Sequence, residues 1–166
     1  MPTLPPKELQ RIYVALGRAL WHLQYVEDAL HALVTVKHDI AGPGRFTEKE
    51  ARAMLTKRLR STMGPAVKIA RDHQLLPIEY LDRLTHLKAE RDWLVHKVQR
   101  TIGDEVLSPW GRLELIRRLD SITTEGQAVL NALVTEMQLF VGSTGHEVVV
   151  PARLGALLEA DRAGGA

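Results

Sequence analysis

The segment 90-ERDWLVHKV-98 sets an arginine beside an aspartate, with a histidine four residues after that aspartate. These residue types suit phosphate chemistry. Arginine stays cationic and presents five N–H donors, histidine exchanges a proton near neutral pH, and a carboxylate one helical turn from an imidazole can fix its tautomer. The segment reads as helix, which sets the angles. At about 100° per residue Asp92 and His96 share a face, whereas Arg91 and His96 stand about 140° apart. To act together, the arginine must bend toward the histidine or a second subunit must bring the groups together. The same residues also make an ordinary helix surface, with Arg91 satisfying an acid or carbonyls and His96 merely exposed.

Arg91 falls in the arc of Leu84, Leu87, Leu94 and Val98, where a core or interface residue is expected. An unpaired charge buried there costs several kcal/mol, so the guanidinium needs an acid, carbonyls, a phosphate or water within reach. Lys97 and Arg100 follow on the same segment and could steer a polyanion.

The elements that must position these groups are helices. Leu9, Ile12, Leu16, Leu20, Leu23, Leu30 and Val34 recur at helical steps, which predicts one long amphipathic helix from about Pro6 to Lys37, stopped by 41-AGPG-44. Thr47 with Glu50 forms a capping-box pattern that starts a second helix at Glu48. Gly64-Pro65 should break or kink it, leaving a short helix toward His73. Pro77 suits a first turn, and Ile78, Leu81, Leu84, Leu87, Leu94 and Val98 carry the next stripe to about Arg100. Ser108-Pro109 then starts a fourth long element, ended by 142-GSTG-145. The expected fold is all-α, an antiparallel four- to five-helix bundle over residues 1–142. Residues 143–166 form a C-terminal extension, partly flexible, with a β-like run at 147–151 and a marginal helix at 152–160.

Composition bounds the rest. With 166 residues, 45% hydrophobic and 25% charged, the chain fits one globular domain with a real core. It contains no cysteine, which excludes disulfides, thiolate zinc sites and thiol catalysis. No run is long enough to cross a membrane, and MPTLPPKELQ lacks a signal peptide's apolar block, so no membrane partner and a cytoplasmic location are expected. A formal charge of +2 permits a nucleic-acid partner without demanding one.

An arginine, a polar residue, then a histidine late in a long helix of an all-helical domain resembles the signature of the HEPN superfamily. The residues are Arg91, Asp92 and His96, the leading Glu90 resembles bacterial members, and the likeness covers Arg11 to Val141. It implies a homodimer whose paired motifs line a cleft that cuts RNA without metal or other cofactor. His96 would be the acid or base, Arg91 the phosphate stabiliser, Asp92 the orienter, and Lys97 and Arg100 RNA-binding groups. It further implies a toxin or defence component held in check by an antitoxin or nucleotidyltransferase-like protein. Asparagine is commoner in the family at the place of Asp92, and an aspartate repels phosphate.

Other patterns point to less. Trp21, Tyr25 and Trp93 are read as core or dimer contacts rather than base-stacking groups. The cluster 27-EDALH-31 has helix-metal spacing, and His86 with Glu90 gives a second pair, yet the chain contains no Glu-x-x-His, so no metal site is expected. 57-KRLR-60 and 117-RR-118 read as solvated basic faces. Three functions stay open: an HEPN-type ribonuclease, a catalytically silent helical dimer serving as a binding or scaffold module, and a ligand- or metal-binding bundle.

Overall fold

The structure is a computed structural model, and it describes residues 4–42, 44–98 and 105–144. Five α-helices account for most of them: α1 (Pro6–Val34), α2 (Glu48–Arg58), α3 (Met63–Asp72), α4 (Ile78–His96) and α5 (Pro109–Ser143). A π-helical turn, Thr35–Ile40, continues α1, and a 3-10 turn, Glu105–Leu107, precedes α5. The protein is an all-α helical bundle.

Local chemistry sets several ends. Thr47 and Glu50 form the full reciprocal capping box of α2, and Ser108 Oγ accepts from Gly111 N–H ahead of Pro109. The long first helix stops being α-helical at Val34, three residues before the expected end, because the chain widens into i→i+5 bonding. Ala41, at φ 54°, then turns it away. The break between α2 and α3 falls at 59–62 rather than at Gly64-Pro65. Pro65 lies in the first turn of α3, where its missing N–H costs no bond. α4 closes at His96 rather than at Arg100, with Lys97 N–H still bonded to Trp93 C=O. Arg100 and the tail expected at 147–160 lie outside the described residues.

Ion pairs between helices give their directions. Glu8 meets Arg112 and Lys37 meets Glu136, so α1 and α5 run the same way; Arg83 meets Glu125 and Glu90 meets Arg118, so α4 runs opposite to α5. Gly126 lets α5 close on α1, for a Cβ there would stand 3.2 Å from His22 Cβ. The core between them is aliphatic: Leu23, Leu30 and Leu33 from α1, Met63 from α3, Leu84 and Leu87 from α4, Leu119 and Leu133 from α5, all under 2% exposed. Each such side chain stabilises the fold by roughly 1.5–3 kcal/mol through burial.

One expected core assignment fails: Leu20, counted in the α1 stripe, is exposed. Trp21, expected as a core or dimer contact, is 60% exposed and so is not packed in the core. The buried stripe runs through Ile12, Ala15, Ala19, Leu23 and Val26, which turns Leu20 and Trp21 to solvent. Tyr25 and Trp93 are half-buried against the core.

Candidate functional site

The last two turns of α4 carry Arg91, Asp92 and His96. Leu81, Leu84, Leu87 and Leu94 are buried and fix which way the helix faces. Arg91 interrupts that stripe, and the acid it needs is supplied by α1. Its Nε donates to Glu27 Oε2 at 3.3 Å, and its Nη1 lies 3.7 Å from Asp92 Oδ1. The Arg91 side chain is 25% exposed and that of Glu27 14%, so the pair is partly shielded from water and still reachable from outside. In the sequence Glu27 carries only a metal-like spacing to His31. Its pairing across 64 positions leaves no local signal.

Neighbouring side chains lock α4 to the other side. Glu90 accepts two hydrogen bonds from Arg118 of α5, at 2.8 and 3.0 Å, and the same guanidinium lies 3.5 Å above the centre of the Trp93 ring. Consecutive residues Glu90 and Arg91 thus hold α4 to α5 and to α1 respectively. The segment is a structural junction whatever else it does.

Asp92 accepts from Lys88 Nζ at 2.8 Å, one turn back along the helix. That bond holds its carboxyl below the ordinary carboxylate range; partial desolvation opposes it, and the charges of Lys88, Arg91 and His96 assist. His96 ends α4 and is exposed. Among the described residues, no hydrogen bond or ion pair joins Asp92 or Arg91 to His96. Within one chain the arginine is turned to α1 and the histidine to solvent. Lys97 is exposed at the C-cap.

The 27-EDALH-31 cluster is divided by burial. His31 is 1% exposed, and among the described residues neither ring nitrogen makes a hydrogen bond of good geometry, the Ser61 backbone being the polar group that faces it. Burial pushes its imidazole below the ordinary value, with Glu27, the Ser61 backbone and Asp28 partly offsetting this and Arg58 adding to it. Among the described residues no three His, Asp or Glu side chains are grouped to hold a metal ion.

A second polar cluster, with no counterpart in the sequence reading, forms where the π turn meets α2 and α3. Asp39 accepts two hydrogen bonds from Arg58 and is 2.9 Å from His38 Nδ1. The His38 ring lies tilted at 59° against that of His73, their centroids 4.2 Å apart. Desolvation raises the Asp39 carboxyl, but the bonds from Arg58 and His38 outweigh it, and the net shift is downward. Beside this cluster Lys37 donates to Leu75 C=O and to Glu136, on the wall of a cleft of about 660 Å³ that Arg71, Gln74 and Pro77 also line. π turns carry no residue signature, which is why this convergence is invisible in the sequence.

No described helix is long and apolar enough to cross a membrane. No family model matches the chain, and no curated protein and no solved structure is significantly similar to it.

Proposed function

We propose that this protein is a metal-independent endoribonuclease of the HEPN kind, a cytoplasmic homodimer that serves as a toxin or defence component under the control of an antitoxin or nucleotidyltransferase-like partner. The observation that carries the reading is the run Glu90, Arg91, Asp92, His96 on the last turns of a long helix, with a partly exposed guanidinium and an exposed imidazole.

The chemistry is cleavage by the ribose 2′-hydroxyl. A base takes the 2′-proton as that oxygen attacks phosphorus, the 5′-oxygen leaves and is protonated, and the products are a 2′,3′-cyclic phosphate and a 5′-hydroxyl. His96 serves as base or acid, and Arg91 neutralises charge developing on the equatorial oxygens. Because Arg91 and His96 diverge within one chain, the working pair draws its two groups from two copies. Asp92 sets the local field, and Lys97 with Arg100 guides the backbone.

The test is cleavage of labelled single-stranded RNA by purified protein in the presence of EDTA. Cleavage with those ends is expected, lowered about 100-fold or more in His96→Ala and in Arg91→Ala, with helicity unchanged by circular dichroism. Arg91→Lys keeps a cation beside Glu27 but loses the planar fork, so it is expected to stay folded and to be slow. Undiminished cleavage in His96→Ala and Arg91→Lys ends the proposal.

One observation favours a second reading, a catalytically silent helical dimer acting as a binding or scaffold module. Arg91 is already engaged by Glu27, and a phosphate must compete with that carboxylate. On this reading the wild type cuts no RNA, and Arg91→Ala changes stability alone.

A further inference from the structure

α1 has two long faces, and the other described helices pack on only one of them. Its buried side packs on α3, α4 and α5, while Gln10, Tyr13, Val14, Gly17, Leu20, Trp21 and Gln24 are all exposed and share an arc of about 120°. In a chain with 25% charged residues, none of these seven is charged. Four are large and apolar: Tyr13 is 62% exposed, Val14 48%, Leu20 38% and Trp21 60%.

Their order is nearly palindromic about Gly17. Three residues either side stand Val14 and Leu20, four either side Tyr13 and Trp21, and seven either side Gln10 and Gln24. A face that reads alike in both directions is complementary to itself under a two-fold axis, the condition for an isologous interface. We propose that a second copy of this chain covers it, with the two α1 helices antiparallel and crossing at Gly17.

The geometry of such a crossing follows from the helix. On each side of the axis, Tyr13 and Val14 of one copy come opposite Leu20 and Trp21 of the other, making two four-residue apolar layers. Gln10 of one copy meets Gln24 of the other beyond each layer, where two neutral amides can exchange hydrogen bonds. Gly17 at the centre has no Cβ, and among the described residues nothing lies within 4 Å of where one would stand, so two backbones can approach closely there. Trp21 is braced by Tyr25 of its own chain, ring centroids 6.1 Å apart. A shallow groove lined by Pro6, Leu9, Gln10, Tyr13 and Val14 receives the other copy's bulk beside Tyr13.

The extent of the face sets the strength. A seven-residue helical face of this kind supplies roughly 600 Å² from each copy, somewhat below the ~800 Å² per partner of a standard stable interface. The dimer is therefore concentration-dependent, in the micromolar range. With no charge to desolvate, its formation changes little with salt.

This interface specifies a face for the homodimer proposed above, on whose second copy the ribonuclease chemistry also depends. Two measurements test it. In sedimentation, the wild type passes from monomer to dimer over micromolar concentrations, and Trp21→Glu raises the dissociation constant about 30-fold with helicity unchanged, the effect of losing a buried aromatic anchor. The natural absence of cysteine makes single-cysteine reporters clean. Gly17→Cys, on the axis, forms a chain-to-chain disulfide under mild oxidation about tenfold faster than Ala53→Cys on the exposed side of α2. A wild type that stays monomeric, a dimer that survives Trp21→Glu, or equal oxidation rates of the two cysteine variants overturns the interface. A dimer that survives Trp21→Glu, or equal oxidation rates, overturns this face and leaves the ribonuclease its two copies; a monomeric wild type removes both ideas, and undiminished RNA cleavage in His96→Ala ends the ribonuclease alone.

Discussion

The last turns of α4 and the π turn after α1 each gather a histidine, an aspartate and an arginine, but only in α4 do the three come from one short run of sequence. In α4 proximity in sequence becomes divergence in space. Glu90 turns to α5, Arg91 to α1, Asp92 back along its own helix to Lys88, and His96 to solvent. At the π turn the reverse holds: His38 and Asp39 from the turn, Arg58 from α2 and His73 at the C-cap of α3 converge although they span 36 positions, counted from 38 to 73 inclusive. A helix fans consecutive residues around its axis, and only packing between elements brings side chains to a point. A motif read along one helix therefore needs a second body, here another copy of the chain, before it can converge.

The largest effect that can break this comparison is catalytic. If RNA cleavage occurs at α4, His96→Ala lowers it about 100-fold or more and His38→Ala leaves it within about twofold. The opposite pattern would move the chemistry to the π turn, where His38 already has a carboxylate to orient it and a second imidazole beside it. Measuring both variants under identical conditions, with end analysis of the products, separates the two regions directly.

Next in size is the junction role of Arg91. Glu27 is 14% exposed and loses its cation in Arg91→Met, so a loss of about 2–3 kcal/mol in unfolding free energy is expected, below the 3–5 kcal/mol of a fully buried pair. Pairing that change with Glu27→Met should recover most of the loss, because no uncompensated charge then remains. Additive losses in the double variant would mean that the two groups are not coupled, and chemical denaturation of the four proteins decides it.

The corresponding cut at the π turn is Asp39→Asn. It removes the carboxylate charge and turns one of the two oxygens that accept from Arg58 into an NH2 donor, and about 1–3 kcal/mol is expected, since Asp39 and Arg58 are both about four-fifths shielded. The pH dependence has a definite sign. The Asp39 carboxyl is held below its ordinary value of 3.8 in the fold, so its contribution is present in full above that value and is lost as pH falls through the lower folded value. In Asp39→Asn that acid-side loss is expected to shrink, as read from melting temperatures between about pH 5 and pH 2.

Some of this was legible in the sequence for identifiable reasons. The capping box of Thr47 and Glu50 and the Ser108-Pro109 start of α5 depend on residues within one turn, so their chemistry is written locally. The need for a partner at Arg91 was also legible, because an apolar stripe does not tolerate an unpaired charge. Glu27 as that partner was not, since it depends on how α1 and α4 pack. The exposure of Leu20 shows the limit of periodicity. Spacings of three, four and seven select a helix, but on a helix with apolar residues on both faces they do not tell the buried side from the open one. Ala15 and Ala19 occupy the buried arc and weigh little in such counting, while Tyr13 and Trp21 lie opposite and weigh heavily.

The smallest expected effect concerns His31, which stands four residues after Glu27 on the α1 side of the Arg91 pair. It is buried with neither ring nitrogen in a hydrogen bond of good geometry among the described residues, and burial lowers its imidazole below the ordinary value of 6.5. The unfolded chain therefore takes up a proton at a pH where the folded one does not. Stability rises with pH across that window and is lost progressively as pH falls below about 6.5. The groups facing the ring divide in sign, with Glu27, the Ser61 backbone and Asp28 favouring its protonation and Arg58 opposing it, so the dependence is modest. His31→Leu removes the titrating group while keeping an apolar side chain of similar bulk, and the difference in melting temperature between pH 7.5 and pH 5.5 should narrow. A wild type whose melting temperature is flat over that interval would place a protonated His31 in the fold. The Arg91 pair would then have a cation one turn away from Glu27, and its coupling energy would fall on acidification instead of staying constant.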